Sequence, residues 1–280
     1  MSRIYDALKK LEAERTGGGG GNGHGGGEGN GHGNGNGANG GARRRLWHWL
    51  FGNGRTKTNG ALSLNFQLGP DLEEAYQRLG TNLLVAPGTT VAQAPKLLGV
   101  AASRHGEGAT TTAAVFASIL TRRRGGRVCV VEANLRSPSF ERVFGAHPEG
   151  GFAELIRGER ALAEVTQSTQ VPNMFAIPCG QAPLGASALY DSAGLGAALE
   201  QLRGAFDFVI FDLPPVNLYG DASIIGPRLD AALIVIEADR TRIPEVERSR
   251  RALERVGVKL VGSVLNRRRT YIPAFLEELL

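Results

Sequence analysis

The sequence predicts an α/β protein built on a doubly wound, mostly parallel sheet. Three observations carry this. From about Gly69 onward, strand and helix patterns alternate, which implies right-handed crossovers between neighbouring parallel strands. The strand segments are short, apolar and β-branched with little alternation, as expected of strands buried on both faces. A glycine-rich loop joins the first strand to the helix after it.

In chain order, the pattern predicts a helix over Asp71–Val85 after Pro70, then a strand at Leu97–Ala102 and a helix from Ala109 to Arg123. A strand at Arg127–Glu132 (VCVVE at its end), a short helix starting at Phe152–Ile156, a strand at Met174–Ile177 and a helix at Gly194–Arg203 follow. The last third reads as a strand at Phe208–Phe211, a short helix starting at Asp221–Ile225, a strand at Ala231–Ile236, a helix at Pro244–Val256 and a strand at Leu260–Leu265. This domain is assigned to residues 61–280.

Two segments precede it. Over residues 1–15, Ile4, Ala7, Leu8 and Leu11 share one helical face and Ser2 suits an N-cap, so an amphipathic helix is expected. Alone it is marginal in water, which implies docking on its own domain or on a partner. Residues 16–60 read as a linker. Most of the glycine excess lies between Gly17 and Gly41, and such a segment buries too little apolar surface to offset its ordering entropy. His24 and His32 lack a preorganised metal geometry. Within the linker, Arg43–Phe51 sets arginines before Leu46, Trp47, Trp49, Leu50 and Phe51, a composition suited to a membrane surface or a partner groove, or to packing back on the domain.

Charge and cysteine content exclude several classes. The formal charge of +5 is modest. The arginine runs 122–124 and 267–269 read as solvated faces, so no specific nucleic acid is expected. Cys129 lies in an apolar run as a small buried hydrophobe, and with Cys179 it forms neither a disulfide framework nor a zinc pattern. No run reaches the roughly 18–20 apolar residues of a membrane span. The charged N-terminus does not resemble a signal peptide, so the expected location is cytoplasmic.

The chemistry concentrates at strand ends. Ser103–Thr112 (SRHGEGATTT) places Gly106, Glu107 and Gly108 before a helix. Glycines let backbone amides approach a phosphate, and the helix N-terminus favours the anion. Ala109, Thr110 and Thr111 continue the cradle, and the Thr110 hydroxyl stands where Mg²⁺ would be ligated. The lysine such a loop needs after its last glycine is absent, since that position is Ala109. Two further strands end in polar residues, Glu132 and Asn134 in EANLRSP and Asp212 in DLPPV. At the carboxyl edge of a parallel sheet these converge on the loop. Thr110 and Asp212 are the candidate metal ligands.

Together, HGEGATT, EANLRSP, DLPPV and the run FDFVIFDLPPVNLYGDASIIGPRLDAALIVIEA, with Asp221, resemble the bacterial tyrosine kinases of capsular and exopolysaccharide biosynthesis. These are P-loop ATPases related to the MinD/ParA group. The family's motifs read like PGEGKST, DADLRxP and DTPPV. The resemblance spans residues 70–266, and the first residues, SRIYDALKKLE, resemble relatives from exopolysaccharide export loci. It implies a P-loop NTPase fold, ATP or ADP with Mg²⁺ as ligand, Asn266 near the adenine, and a membrane-embedded chain-length-determining co-polymerase as partner, with the chain peripheral to the inner membrane.

The departures imply lost catalysis. Ala109 replaces the lysine, and Glu132 and Asn134 replace the aspartates. Asp212 alone is retained, so no residue is assigned as catalytic. The family's oligomerisation helix reads like ExxRxxR; here Glu74 is followed by Gln77 and Gly80. The C-terminal tyrosine cluster is missing. Phosphoryl transfer rests on positioning and electrostatics, so losing a loop cation removes much of it. A non-catalytic regulatory subunit is therefore expected, with nucleotide binding left open. The alternatives are an active divergent kinase or ATPase, with Arg104 replacing the lysine and Tyr271, Tyr219 or Tyr190 as acceptor, and a MinD/ParA-like positioning ATPase.

Overall fold

The computed structural model describes residues 69–84, 95–124, 126–181 and 186–268. The N-terminal helix, the linker with Arg43–Phe51, and Tyr271 lie outside the described residues.

A seven-stranded sheet organises the chain, in the order β3-β4-β2-β5-β1-β6-β7. Its strands are β1 (Leu97–Ala102), β2 (Val128–Glu132), β3 (Gln167–Ser168), β4 (Met174–Ile177), β5 (Phe208–Asp212), β6 (Ala231–Glu237) and β7 (Leu260–Asn266). All pairings are parallel except β3 with β4. The helices are α1 (Pro70–Leu84), α2 (Ala109–Arg124), α3 (Phe140–Phe144), α4 (Phe152–Arg157), α5 (Leu162–Val165), α6 (Ala186–Tyr190), α7 (Ala193–Ala205), α8 (Asp221–Ile225) and α9 (Ile243–Arg255).

Alternate residues of the central strands face opposite layers, as pleating requires. Leu97, Cys129, Val131, Val209, Phe211, Ala232 and Ile234 join one core with Phe152, Leu195, Leu202, Val246 and Leu253 from α4, α7 and α9. Leu98 and Ile210 face the other way, towards Phe116 and Leu120 of α2 and Leu83 of α1. The helix α2 is apolar on nearly its whole circumference, from Ala113 to Leu120. It can be so because α1 covers its outer side, with Tyr76, Gly80 and Leu83 buried against it.

Within the described residues, every strand and helix expected from the sequence is present within a few residues. The additions are the short helices α3, α5 and α6 and the two-residue edge strand β3. Segments of two to five residues hold too little periodicity to register. The topology fixes the site. From β1 the chain crosses to β2 on one side, while β6 and β7 build on the other. The order reverses at β1, and a crevice opens at the carboxyl ends there.

Candidate phosphate-loop site

The loop after β1 is shaped by its own carboxylate. Gly106 and Gly108 take φ of 88° and 99°, a region closed to most side chains. Between them, Glu107 is 2% exposed. One carboxylate oxygen accepts the Ser103 and Arg104 amides at 2.7 and 3.0 Å, and the other accepts the Thr241 hydroxyl at 2.5 Å. The side-chain amide of Asn266, at the end of β7, donates to the Glu107 carbonyl at 2.8 Å. A Cβ on Gly108 would stand 2.2 Å from that Asn266 nitrogen. Asn266 thus braces the loop. Ala109, Thr110 and Thr111 open α2 half-buried at the loop mouth.

The acidic stations meet this loop unequally. Asp212 and Glu132 are register partners on β5 and β2. The Thr110 hydroxyl donates to Asp212 at 2.6 Å, while the second Asp212 oxygen is buried and unpartnered. Burial pushes the Asp212 carboxyl up to about 8, opposed by the Thr110 bond and reinforced by the Glu132 charge. Glu132 is not at a solvated strand end, as a drifting residue would be. It is 1% exposed and accepts backbone amides from Ser139, Phe140 (2.7 Å) and Cys179 (3.0 Å). Its carboxyl is raised by burial against the pull of those bonds. Asn134, also buried, is occupied by its own turn, its oxygen accepting the Ser137 amide at 3.3 Å.

The structure therefore brings Thr110, Asp212 and Glu132 together, and adds Ser139, whose hydroxyl lies 3.5 Å from that of Thr110. Ser139 and Thr241 carried no sequence signal, because each reaches the loop from an irregular turn. A second knot closes the crevice rim. Arg136 grips Asp221 through two bonds of 2.5 and 3.1 Å, contacts Ser187 at 3.0 Å, and lies over the Tyr219 ring.

Two expectations of the active alternative are corrected. Arg104 does not turn into the loop; its half-exposed guanidinium faces Glu245 of α9 at 3.5 Å. Tyr190 is no accessible acceptor, being fully buried with its hydroxyl given to the Ala133 carbonyl at 2.5 Å.

Thr110 and Asp212 are the residues that would hold a cation, since the second Asp212 oxygen is buried without a partner beside the Thr110 hydroxyl. Glu132 and Asn134 are committed elsewhere, and Ala109 brings no charge. The residues present thus fit part of a Mg²⁺–nucleotide site. If such a ligand binds, its phosphates meet the loop amides and Thr110, and Asp212 faces its metal.

No family model matches the chain. A tyrosine-protein kinase, CpsD of Streptococcus agalactiae, is 28% identical over 196 residues, covering 70% of this chain and 83% of that protein. The kinase domain of the Escherichia coli tyrosine kinase ETK superposes with a TM-score of 0.66 at 25% identity, over 72% of this chain and 78% of that one. The septum site-determining protein MinD of Pyrococcus horikoshii, solved with Mg-ADP, shares the fold at a TM-score of 0.52 and 20% identity, over 65% of this chain and 76% of its own. In sequence the chain is similar to bacterial tyrosine-protein kinases, and its fold is that of their kinase domains and of MinD, an α/β P-loop NTPase architecture.

Proposed function

We propose that this chain is a kinase-like regulatory subunit of capsule or exopolysaccharide polymerisation and export that does not itself transfer phosphate. The observation that carries the reading is the loop: its cation position is Ala109, the first residue of α2. A charged hydrogen bond contributes about 1.5–3 kcal/mol, and cations that meet phosphoryl transition states are worth on the order of 10³-fold or more in rate. The arginines bordering the crevice do not replace it, since Arg104, Arg136 and Arg267 are paired with Glu245, Asp221 and Glu237.

The role in polysaccharide synthesis rests on the motif resemblance and on relatives named as tyrosine-protein kinases. By the same reasoning the partner is a membrane-embedded chain-length-determining co-polymerase. The chain would lie on the cytoplasmic face, peripheral to the inner membrane, with residues 1–15 and Arg43–Phe51 as docking elements. ATP or ADP with Mg²⁺ is the ligand the loop suits, held by its amides, Thr110 and Asp212.

The test is incubation of the full chain with Mg-ATP, followed by intact mass and released phosphate. No added phosphoryl group and no phosphate above buffer are expected. Phosphotyrosine that disappears in Asp212→Ala would overturn the reading in favour of an active kinase.

A further inference from the structure

We infer that Glu132 has become an anchor of the crevice wall, and that it positions Ser139 against the phosphate loop. The inference deepens the reading above and rests on it only for the missing loop cation. The relatives' motif has aspartate here, so the exchange could be read as simple loss of a metal position. The geometry points elsewhere. Both Glu132 oxygens are engaged with backbone amides from two separate segments: Ser139 and Phe140 at the start of α3 share one oxygen, and Cys179 beyond β4 takes the other.

The extra methylene is what makes this span possible. Aspartate from the same Cα would fall short by about one C–C bond, roughly 1.5 Å. It would leave at least one of these amides without its acceptor, in a pocket where Glu132 is 1% exposed. Ser139 then loses the tether that holds its hydroxyl 3.5 Å from Thr110. Restoring the relatives' residues singly therefore does not rebuild their site. Ala109→Lys returns a cation to the loop, whereas Glu132→Asp releases the wall behind it.

The experiment uses the full chain with Ala109→Lys, Glu132→Asp, Glu132→Gln and the double variant Ala109→Lys/Glu132→Asp. Thermal melts are recorded, and Mg-ATP affinity is measured by calorimetry at a temperature where circular dichroism shows each variant folded. Glu132→Asp and Glu132→Gln are expected to lower Tm by roughly 3–10 °C, from stranded buried amides. Glutamine keeps the size but presents a donor to a donor, so it tests the anchor even if the aspartate variant fails to fold. Ala109→Lys is expected to tighten Mg-ATP binding by about tenfold or more, and the double variant to bind several-fold more weakly than Ala109→Lys alone.

An unchanged Tm in both Glu132 variants would overturn the anchor. Equal or tighter binding by the double variant would overturn the positioning of Ser139. If Ala109→Lys binds no tighter than the parent, the reading of the lost loop cation fails instead, and the melts still decide the role of Glu132.

Discussion

Buried carboxylates survive in this chain because donors meet them, and the donors differ from one to the next. Backbone amides and a hydroxyl serve Glu107, three amides serve Glu132, and the half-buried Asp230 is met in the same way by an arginine and two amides. At Asp230, burial raises the carboxyl, but the Arg203 guanidinium and the Leu97 and Lys96 amides outweigh it, so the net shift is downward. A folded pKa below the unfolded value means the contribution is present above the ordinary carboxylate range and is lost as pH falls through the depressed value. Asp230→Asn is therefore expected to lower stability at neutral pH, and the difference from the parent should shrink below about pH 4. Denaturant titrations across pH 2.5–7 check this; a difference independent of pH would contradict it.

Among the elements, the phosphate loop and α1 make opposite demands on glycine. Gly108 combines φ of 99° with the Asn266 nitrogen 2.2 Å from any Cβ. Gly108→Ala should cost about 1–3 kcal/mol in strain and displace Asn266, read as a lower Tm and loss of whatever nucleotide affinity the parent has. Gly80 has no such need. It is helical, and a Cβ there would make ordinary contact with Phe116 at 3.5 Å and Leu120 at 3.9 Å. Gly80→Ala should stabilise by up to about 1 kcal/mol through helix propensity. Gly80→Arg, which restores the relatives' residue, should destabilise by about 1–3 kcal/mol through overpacking of α1 on α2. Paired chemical melts of the two variants decide the sign. The glycine at this position thus belongs to how α1 packs on α2, and Glu74, exposed, pairs with Arg78 within the helix at 2.6 Å.

For the whole molecule, stability rests on the sheet that also positions the site. Phe211 is fully buried on β5, its ring 5.9 Å from that of Phe152 on α4, and Asp212 follows it directly. Phe211→Ala should destabilise by about 3–5 kcal/mol. Its melt should remain a single transition if sheet and helices unfold together. Among the described residues no helix is long and apolar enough to cross a membrane. Membrane association under the proposed function is measured by sedimentation with membranes, with and without residues 1–60.

The order of strands and helices was legible in the sequence because each long element repeats its pattern over several residues. VCVVE and AALIVIEA read as buried strands, and the glycines of HGEGATT, an ambiguous strand-to-helix turn alone, read as a phosphate loop once EANLRSP and DLPPV stood beside them. The missing lysine at Ala109 was visible too, since one position in a short loop determines it. Tertiary structure decided what the strand-end residues do. In the sequence Glu132 stood only as an altered acidic position at a strand end, yet its contacts are amides 7, 8 and 47 residues away, in segments whose approach no local pattern reports. Arg104 looked free to serve the loop until Glu245, 141 residues on, was placed beside it. A sequence fixes propensities within a few residues, whereas the partner of a buried charge is set by which strands the topology makes neighbours. Here the sequence by itself determined the fold and the alanine that follows the loop's last glycine; the packed structure decided which distant amides meet the buried Glu132.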